Sequence, residues 1–265
     1  MNNFISIIMN CYNGEKYLAD SLKSVIKQKY KNWELIFWDN RSTDDSKKIF
    51  KSFNDKRLKY FLSKQHTTLY KARNLACKKA KGEFIAFIDC DDLWYRDFLS
   101  GRKTFFQNKD YKFSYSNFYY YFEKSKRKKV PKKNITLKSG LIYNFLAKNY
   151  TVAISSLIIK KDLLKKRNFF NERYSIIGDF DAVMKISKNF KACAFQKPLL
   201  QIRIHGENFM DTNRKMFFEE FKHWFLKEKR DRYFNKNKNI FLKKLIYLYF
   251  VSLFPKFIKD FFKKK

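Results

Sequence analysis

The chain has 265 residues, 45% of them hydrophobic and 32% charged, with a formal net charge of +34. That much apolar material excludes a disordered basic tail and suits one medium-sized domain plus an appendage. The charge predicts attraction to nucleic acid, an anionic membrane surface or a phosphate-bearing ligand. An A+T-rich genome would also favour the many Lys and the 31 Phe beside only 6 Gly, so part of the excess carries no function. Cys11, Cys77, Cys90 and Cys193 are widely spaced, with no pair at metal-ligand spacing. They read as free thiols in a reducing compartment. The apolar stretch Phe4 to Met9 is short and lacks a basic leader, so no signal peptide is expected and the protein is placed on the cytoplasmic side.

The first half alternates strand and helix patterns. Phe4 to Met9 reads as a buried strand, followed after Asn13-Gly14 by a helix with Leu18, Leu22, Val25 and Ile26 on one face. Trp33 to Trp38 is the next strand; Ser42 or Thr43 is expected to cap the helix after it, with Asp44 and Asp45 in its first turn. Leu58 to Phe61 is a weaker strand. A helix through Leu69, Ala72 and Ala76 stops at Lys81-Gly82, and the run Phe84 to Ile88 follows. Repeated β-α units of this length predict an α/β fold with a mostly parallel, doubly wound, Rossmann-like sheet.

The middle is less regular. Lys112 to Phe122 is expected as a strand, Lys124 to Lys129 before Pro131 as a solvated loop, and Ala153 to Ile159 as another strand. Asp179 to Asn189 reads as a helix with Val183, Met184 and Ile186 inward, and Leu200 to Ile204 as a short strand ending at His205. Phe217 to Phe234 is predicted as one helix. Beyond it, the apolar run Leu245 to Phe254 is too short to span a bilayer, which takes about 20 residues. Lys243-Lys244 precede it and Lys256, Lys259 and Lys263-Lys264-Lys265 follow. That arrangement suits an interfacial anchor on anionic lipid, or else a helix packed on the main domain with a basic tail. The division expected is 1–215 for the main domain, with halves 1–95 and 96–215, and 216–265 for a helical basic amphipathic C-terminal extension.

Asp89-Cys90-Asp91-Asp92 ends the run Phe84 to Ile88. Carboxylates crowded at a strand end repel and raise one another's pKa values. A hard divalent cation would stabilise them and would also neutralise phosphate. Open α/β sheets bind ligands at this end of their strands. The alternative is a polar turn that caps the next helix.

Ser6 to Leu18, Trp38 to Ser46 with Asp39-Asn40-Arg41-Ser42, Ala72-Arg73-Asn74 and Gly82 to Asp92 agree together in order and spacing. Over roughly residues 4 to 95 the chain thereby resembles the family 2 glycosyltransferases, inverting enzymes with the nucleotide-sugar-binding GT-A fold. Weaker agreement continues through Gly178-Asp179-Phe180-Asp181 and Arg203-Ile204-His205-Gly206-Glu207-Asn208.

The resemblance implies transfer of one sugar from a nucleotide-sugar donor, a UDP-sugar, to a glycan or a polyprenyl/lipid-linked acceptor. The product would belong to surface polysaccharide or lipopolysaccharide, made by a peripheral enzyme on the inner face of the cytoplasmic membrane. Donor-binding residues implied are Cys11, Tyr12 and Asn13 around the base, Asp39 on the imide N–H, Arg73 on the diphosphate or ribose, and Asp89 on ribose or metal. Asp91 and His205 are the implied ligands of Mg²⁺ or Mn²⁺, and Asp92 is expected to cap the helix after Trp94. Asp179 is the implied general base, with Asp181 as its rival; His66 and His223 have no such context. The chain departs from the family where Arg41 stands for a Gly and where Gly178 replaces an acid. Two other readings are a basic nucleic-acid-binding protein, with Tyr119 to Phe122 stacking bases beside the basic loop, and an inactive GT-A-like binding module. The acidic strand end makes nucleic acid the weaker of the partners.

Overall fold

Ile5–Cys11 (β1), Trp33–Asp39 (β2) and Phe84–Phe87 (β4) are buried along their whole length. Unbroken apolar runs of this kind belong to parallel strands covered on both faces. Between them come α1 (Glu15–Ile26), α2 (Ser46–Lys51), β3 (Leu58–Leu62) and α3 (Leu69–Cys77). The computed structural model describes residues 3–131, 134–164, 169–206 and 208–253.

The chain continues through β5 (Leu93–Trp94), α4 (Lys103–Gln107), β6 (Tyr111–Ser116), β7 (Tyr119–Phe122), β8 (Arg127–Lys129), α5 (Tyr143–Lys148), β9 (Ile158–Lys160) and α6 (Gly178–Asn189). It ends with β10 (Lys191–Phe195), β11 (Leu200–Ile204), α7 (Phe209–Thr212), α8 (Arg214–Lys227), α9 (Arg232–Lys236) and α10 (Lys238–Leu253). The main sheet has the order β10-β6-β9-β4-β1-β2-β3. Only β9 runs antiparallel to its neighbours, so the sheet is mostly parallel as expected. A second sheet, β5-β11-β7-β8, stands beside it. The register pairs Cys11 with Asp39 and Ile8 with Phe87, which brings the ends of β1, β2 and β4 to one edge.

Several local expectations need correction. Neither Ser42 nor Thr43 caps the helix after β2. It begins at Ser46, and Ser42 Oγ accepts instead from Asn13 N–H at 3.1 Å. Lys112 to Phe122 is two strands in different sheets, separated at Asn117 and Phe118. The basic loop includes a strand: Arg127–Lys129 pairs antiparallel with β7 and exposes all three side chains. Ala153 to Ile159 opens with a short helical turn, Ile154–Ser156, before β9. The helix expected from Phe217 to Phe234 breaks after Lys227, and Asp231 caps α9 by accepting from Phe234 N–H at 2.9 Å.

The C-terminal helices share the main core. Phe221, Trp224, Phe225, Phe234, Phe241 and Leu248 are buried in the same cluster as Tyr70, Phe170 and Val183. Phe218 meets Tyr249 at 5.4 Å, which seats α8 on α10. The other side of α10 leaves Leu242, Ile246, Phe250 and Leu253 exposed. The apolar run thus covers two helix faces, one packed and one open. Among the described residues no helix is long and apolar enough to cross a membrane. Phe254 and the lysines from Lys256 onward, like Glu207, lie outside the described residues.

Candidate active site

The acidic loop Asp89–Asp92 follows β4 directly and is fixed by three other elements. Ser155, buried in the turn before β9, uses one hydroxyl twice. It accepts from Asp89 N–H at 3.0 Å and donates to Asp92 Oδ2 at 2.5 Å. From α1, Ser21 Oγ donates to the Asp92 carbonyl. From β11, Arg203 N–H donates to Asp92 Oδ1 at 3.2 Å and Arg203 Nε to the Asp91 carbonyl at 3.1 Å. Asp92 is therefore a buried strut rather than the helix cap expected of it. Burial, with Asp91 and Asp89 beside it, pushes its carboxyl well above the ordinary range.

β11 pairs antiparallel with β5, Leu200 opposite Trp94 and Gln201 opposite Leu93. The chain beyond Gln201 therefore travels back past Asp92 and Asp91. That path delivers His205, whose Nε2 lies 3.2 Å from Asp91 Oδ2. Its Nδ1 is buried without a partner among the described residues, and its ring packs on Tyr17 at 4.8 Å. Asp89, Asp91 and Asp92 each offer an oxygen within 4.8 Å of the others. Hard carboxylate oxygens with one imidazole suit Mg²⁺ or Mn²⁺. Asp91 and His205 are the members not already committed elsewhere as struts, so the residues present fit the ion.

Arg73 and Tyr70 sit three apart on α3 and bridge the acidic loop to α6. Arg73 is only 3% exposed, and its guanidinium is ion-paired with Asp89 Oδ1. Burial opposes its charge, but Asp89, Tyr70 and Asp179 together hold its pKa above the usual value. Burial raises Asp89 in turn, against the pull of Arg73. The Tyr70 hydroxyl lies 3.1 Å from Asp179 Oδ1 and 2.8 Å from the Ile176 carbonyl, so its one proton serves two acceptors.

Asp179 stands in the first turn of α6, where its Oδ1 also accepts from Phe180 N–H at 2.7 Å. Burial raises its pKa, opposed by Arg73 and by these hydrogen bonds. Asp181 faces elsewhere. It is fully buried and ion-paired with Lys185, so the two acids of this segment are sharply separated.

Further along the sheet edge, beyond β1, Asp39 closes β2 with 1% of its surface exposed. Its Oδ1 accepts from Ser42 N–H at 2.7 Å and its Oδ2 from the Tyr60 hydroxyl at 2.6 Å. Each oxygen keeps one further lone pair. Cys11 closes β1; a hydrogen bond from Cys90 holds its thiol below the ordinary pKa, against burial. Gly14 lies over both sulfurs: a Cβ there would meet them at 2.7 and 2.9 Å. Asn13 has φ of 52° and its Oδ1 accepts from Thr43 N–H at 2.8 Å. Tyr12 is 52% exposed, its ring against His66 at 4.3 Å. Cys11, Tyr12, Asn13 and Asp39 thus gather at the ends of β1 and β2, while Arg73 pairs with Asp89, His205 with Asp91, and Tyr70 carries the contact on to Asp179. Tyr70, Ser155 and Arg203 were not legible as site residues. Tyr70 and Ser155 belong to no motif, Arg203 stands in the stretch Arg203 to Asn208 but without a role there, and only the fold brings all three in.

A mostly parallel sheet with an acidic loop at its carboxyl edge, a His returned to that loop and a half-buried carboxylate on α6 are set on a GT-A-type fold. The family model "Glycosyl transferase family 2" matches residues 6–168, and the chain belongs to that family. It is 34% identical over 165 residues to the UDP-Glc:alpha-D-GlcNAc-diphosphoundecaprenol beta-1,3-glucosyltransferase WfgD of Escherichia coli, covering 62% of this chain and 63% of that protein. The first curated relatives are spanned over only 35% to 63% of their own length. Among solved structures, S. aureus TarS in complex with UDP-GlcNAc superposes with a TM-score of 0.69 at 21% identity, over 90% of this chain and 70% of TarS. The mannosyltransferase PcManGT of Pyrobaculum calidifontis, in complex with GDP-Man and Mn²⁺, gives 0.66 at 17% identity, over 94% and 70%. These likenesses carry the fold.

Proposed function

We propose that the protein is an inverting glycosyltransferase that moves a sugar from a UDP-linked donor to a polyprenyl-diphosphate-linked glycan. The observation that carries this reading is the convergence of Asp91, His205, the Arg73–Asp89 pair and Asp179 at the carboxyl edge of the sheet. The relationship to WfgD, named for a diphosphoundecaprenol acceptor, supports the acceptor class.

Cys11, Tyr12 and Asn13 form the base hollow, and Asp39 fixes its floor through Ser42 and Tyr60 while offering its remaining lone pairs to the base N–H. Arg73 acts through Asp89, orienting that carboxylate toward the ribose or the ion. A Mg²⁺ or Mn²⁺ ion held by Asp91 and His205, with Asp89, would supply Lewis-acid stabilisation of the diphosphate leaving group. Asp179 takes the proton of the acceptor hydroxyl as its oxygen attacks C1 of the sugar. Attack from the face opposite the diphosphate inverts the anomeric centre. The open face of α10, with Lys243 and Lys244 on the same helix, would rest on the anionic inner face of the cytoplasmic membrane, where such an acceptor is found.

Release of UDP from a panel of UDP-sugars, with a short-chain polyprenyl-diphosphate-GlcNAc as acceptor and Mn²⁺ present, tests the reading. Acceptor-dependent release that Asp179→Asn cuts to a small residual rate is the expected result. Turnover unchanged in Asp179→Asn would leave a different base or a different chemistry, and stabilisation by DNA in place of UDP would favour a nucleic-acid-binding protein.

A further inference from the structure

Ile177, the residue that opens α6, has no side-chain cap of its own. The backbone N–H groups of the segment that leads into the helix need acceptors as well, and here they come from a distant helix. Glu220 of α8 accepts from three successive N–H groups: Ser175 at 2.6 Å, Ile176 at 2.9 Å and Ile177 at 3.1 Å. A carboxylate that accepts from consecutive amides makes short, charge-assisted bonds and fixes the path by which the chain enters the helix. Asp179 stands two residues beyond the last of them.

The same helix grips the segment on either side. The Tyr174 hydroxyl lies 3.1 Å from His223 Nδ1. Phe180, which follows Asp179, packs against Trp224 at 4.8 Å and Phe221 at 5.7 Å. From the opposite side, Tyr70 reaches both the Ile176 carbonyl and the Asp179 carboxylate. Residues 174–180 are therefore held between α3, which also carries Arg73, and α8, which lies outside the stretch matched by the family model.

We propose that Glu220 is a positioning residue for the general base, setting the direction of the first turn of α6 and with it the place of the Asp179 carboxylate. The proposal rests on the reading of Asp179 as that base. An error of about 1 Å in a reacting group costs up to roughly a hundredfold in rate, so an isosteric change that loosens three amides has a measurable cost. Glutamine keeps the shape of Glu220 but turns an NH₂ toward N–H groups that need an acceptor.

The test uses the full chain with Glu220→Gln, and Glu220→Asp as a second variant should the first fold poorly. UDP affinity with Mn²⁺ is measured by calorimetry, and kcat by release of UDP from the best UDP-sugar of the panel. Glu220→Gln is expected to lower kcat about ten- to hundredfold with UDP affinity within about twofold. In an Asp179→Asn background it should lower the residual rate no further, because two residues acting through one carboxylate do not add. Unchanged kcat would overturn the proposal. So would an equal loss in both backgrounds, or a parallel loss of UDP affinity, since each describes a purely structural cap. If the unaltered chain neither binds UDP, GDP or dTDP nor releases nucleotide, the transferase reading falls and the proposal with it.

Discussion

The ring of Tyr70 occupies the space that a side chain at position 178 would need: a Cβ on Gly178 would come within 2.4 Å of Tyr70 Cδ2. The family resemblance places an acid at 178, and here a tyrosine from α3 has taken its room. Tyr70 also presents its hydroxyl to Asp179, so the pair Tyr70–Gly178 replaces an acidic pair with one acid and one phenol. Gly178→Ala is expected to cost about 1–3 kcal/mol through overpacking. In a Tyr70→Ala background the same change should cost far less, and chemical denaturation of the four proteins measures this coupling.

As the proposed base Asp179 must be deprotonated, and burial holds its pKa above the usual carboxylate value of about 3.9. Activity should therefore be lost as pH falls through that raised value, at a higher pH than for an ordinary aspartate. The Tyr70 hydrogen bond lowers the Asp179 pKa. Tyr70→Phe removes it while keeping the ring, so the acid limb of kcat/KM should move upward. A pH profile with the limb unmoved or moved downward would count against this arrangement.

Arg41 has φ of 70°, in the left-handed region that costs a non-glycine residue about 1–2 kcal/mol. Part of that would be recovered in Arg41→Gly, less the extra chain entropy of glycine. The net gain expected is about 0.5–1 kcal/mol, read as a higher denaturant midpoint. An Arg41 contact to the donor would appear as weakened UDP binding in the same variant.

The outward face of α10 should bind anionic vesicles. Ile246→Ser with Phe250→Ser removes two exposed apolar side chains and is expected to weaken co-sedimentation with phosphatidylglycerol-containing vesicles about tenfold or more. The melting temperature should barely change, because neither side chain is buried. Rising salt should weaken binding of both proteins through the lysines.

The parts of this molecule legible in its sequence are those written locally. β1, β2 and β4 show as unbroken apolar runs, and Asp89 and Asp91 as acids at a strand end. What escaped was set by distant partners. Tyr70 meets Asp179 across 109 positions, Ser155 meets Asp89 across 66, and Glu220 meets Ser175 across 45; no periodicity encodes such pairs. Lys112 to Phe122 misled because its aromatic residues continue on both sides of Ser116-Asn117 while the chain passes from one sheet to the other. Ser42 and Thr43 misled for a related reason: good capping residues were drawn off by Asn13 and Asp39.

Calorimetric titration of the purified protein with UDP, with and without Mn²⁺, beside Asp91→Ala, tests the central claim most directly. Metal-dependent binding that Asp91→Ala abolishes is the predicted result, since Asp91 and His205 would hold the ion that meets the diphosphate. Binding that is the same without Mn²⁺ or in the variant would contradict the assignment of the metal site, and silence toward UDP, GDP and dTDP alike would contradict the transferase reading itself.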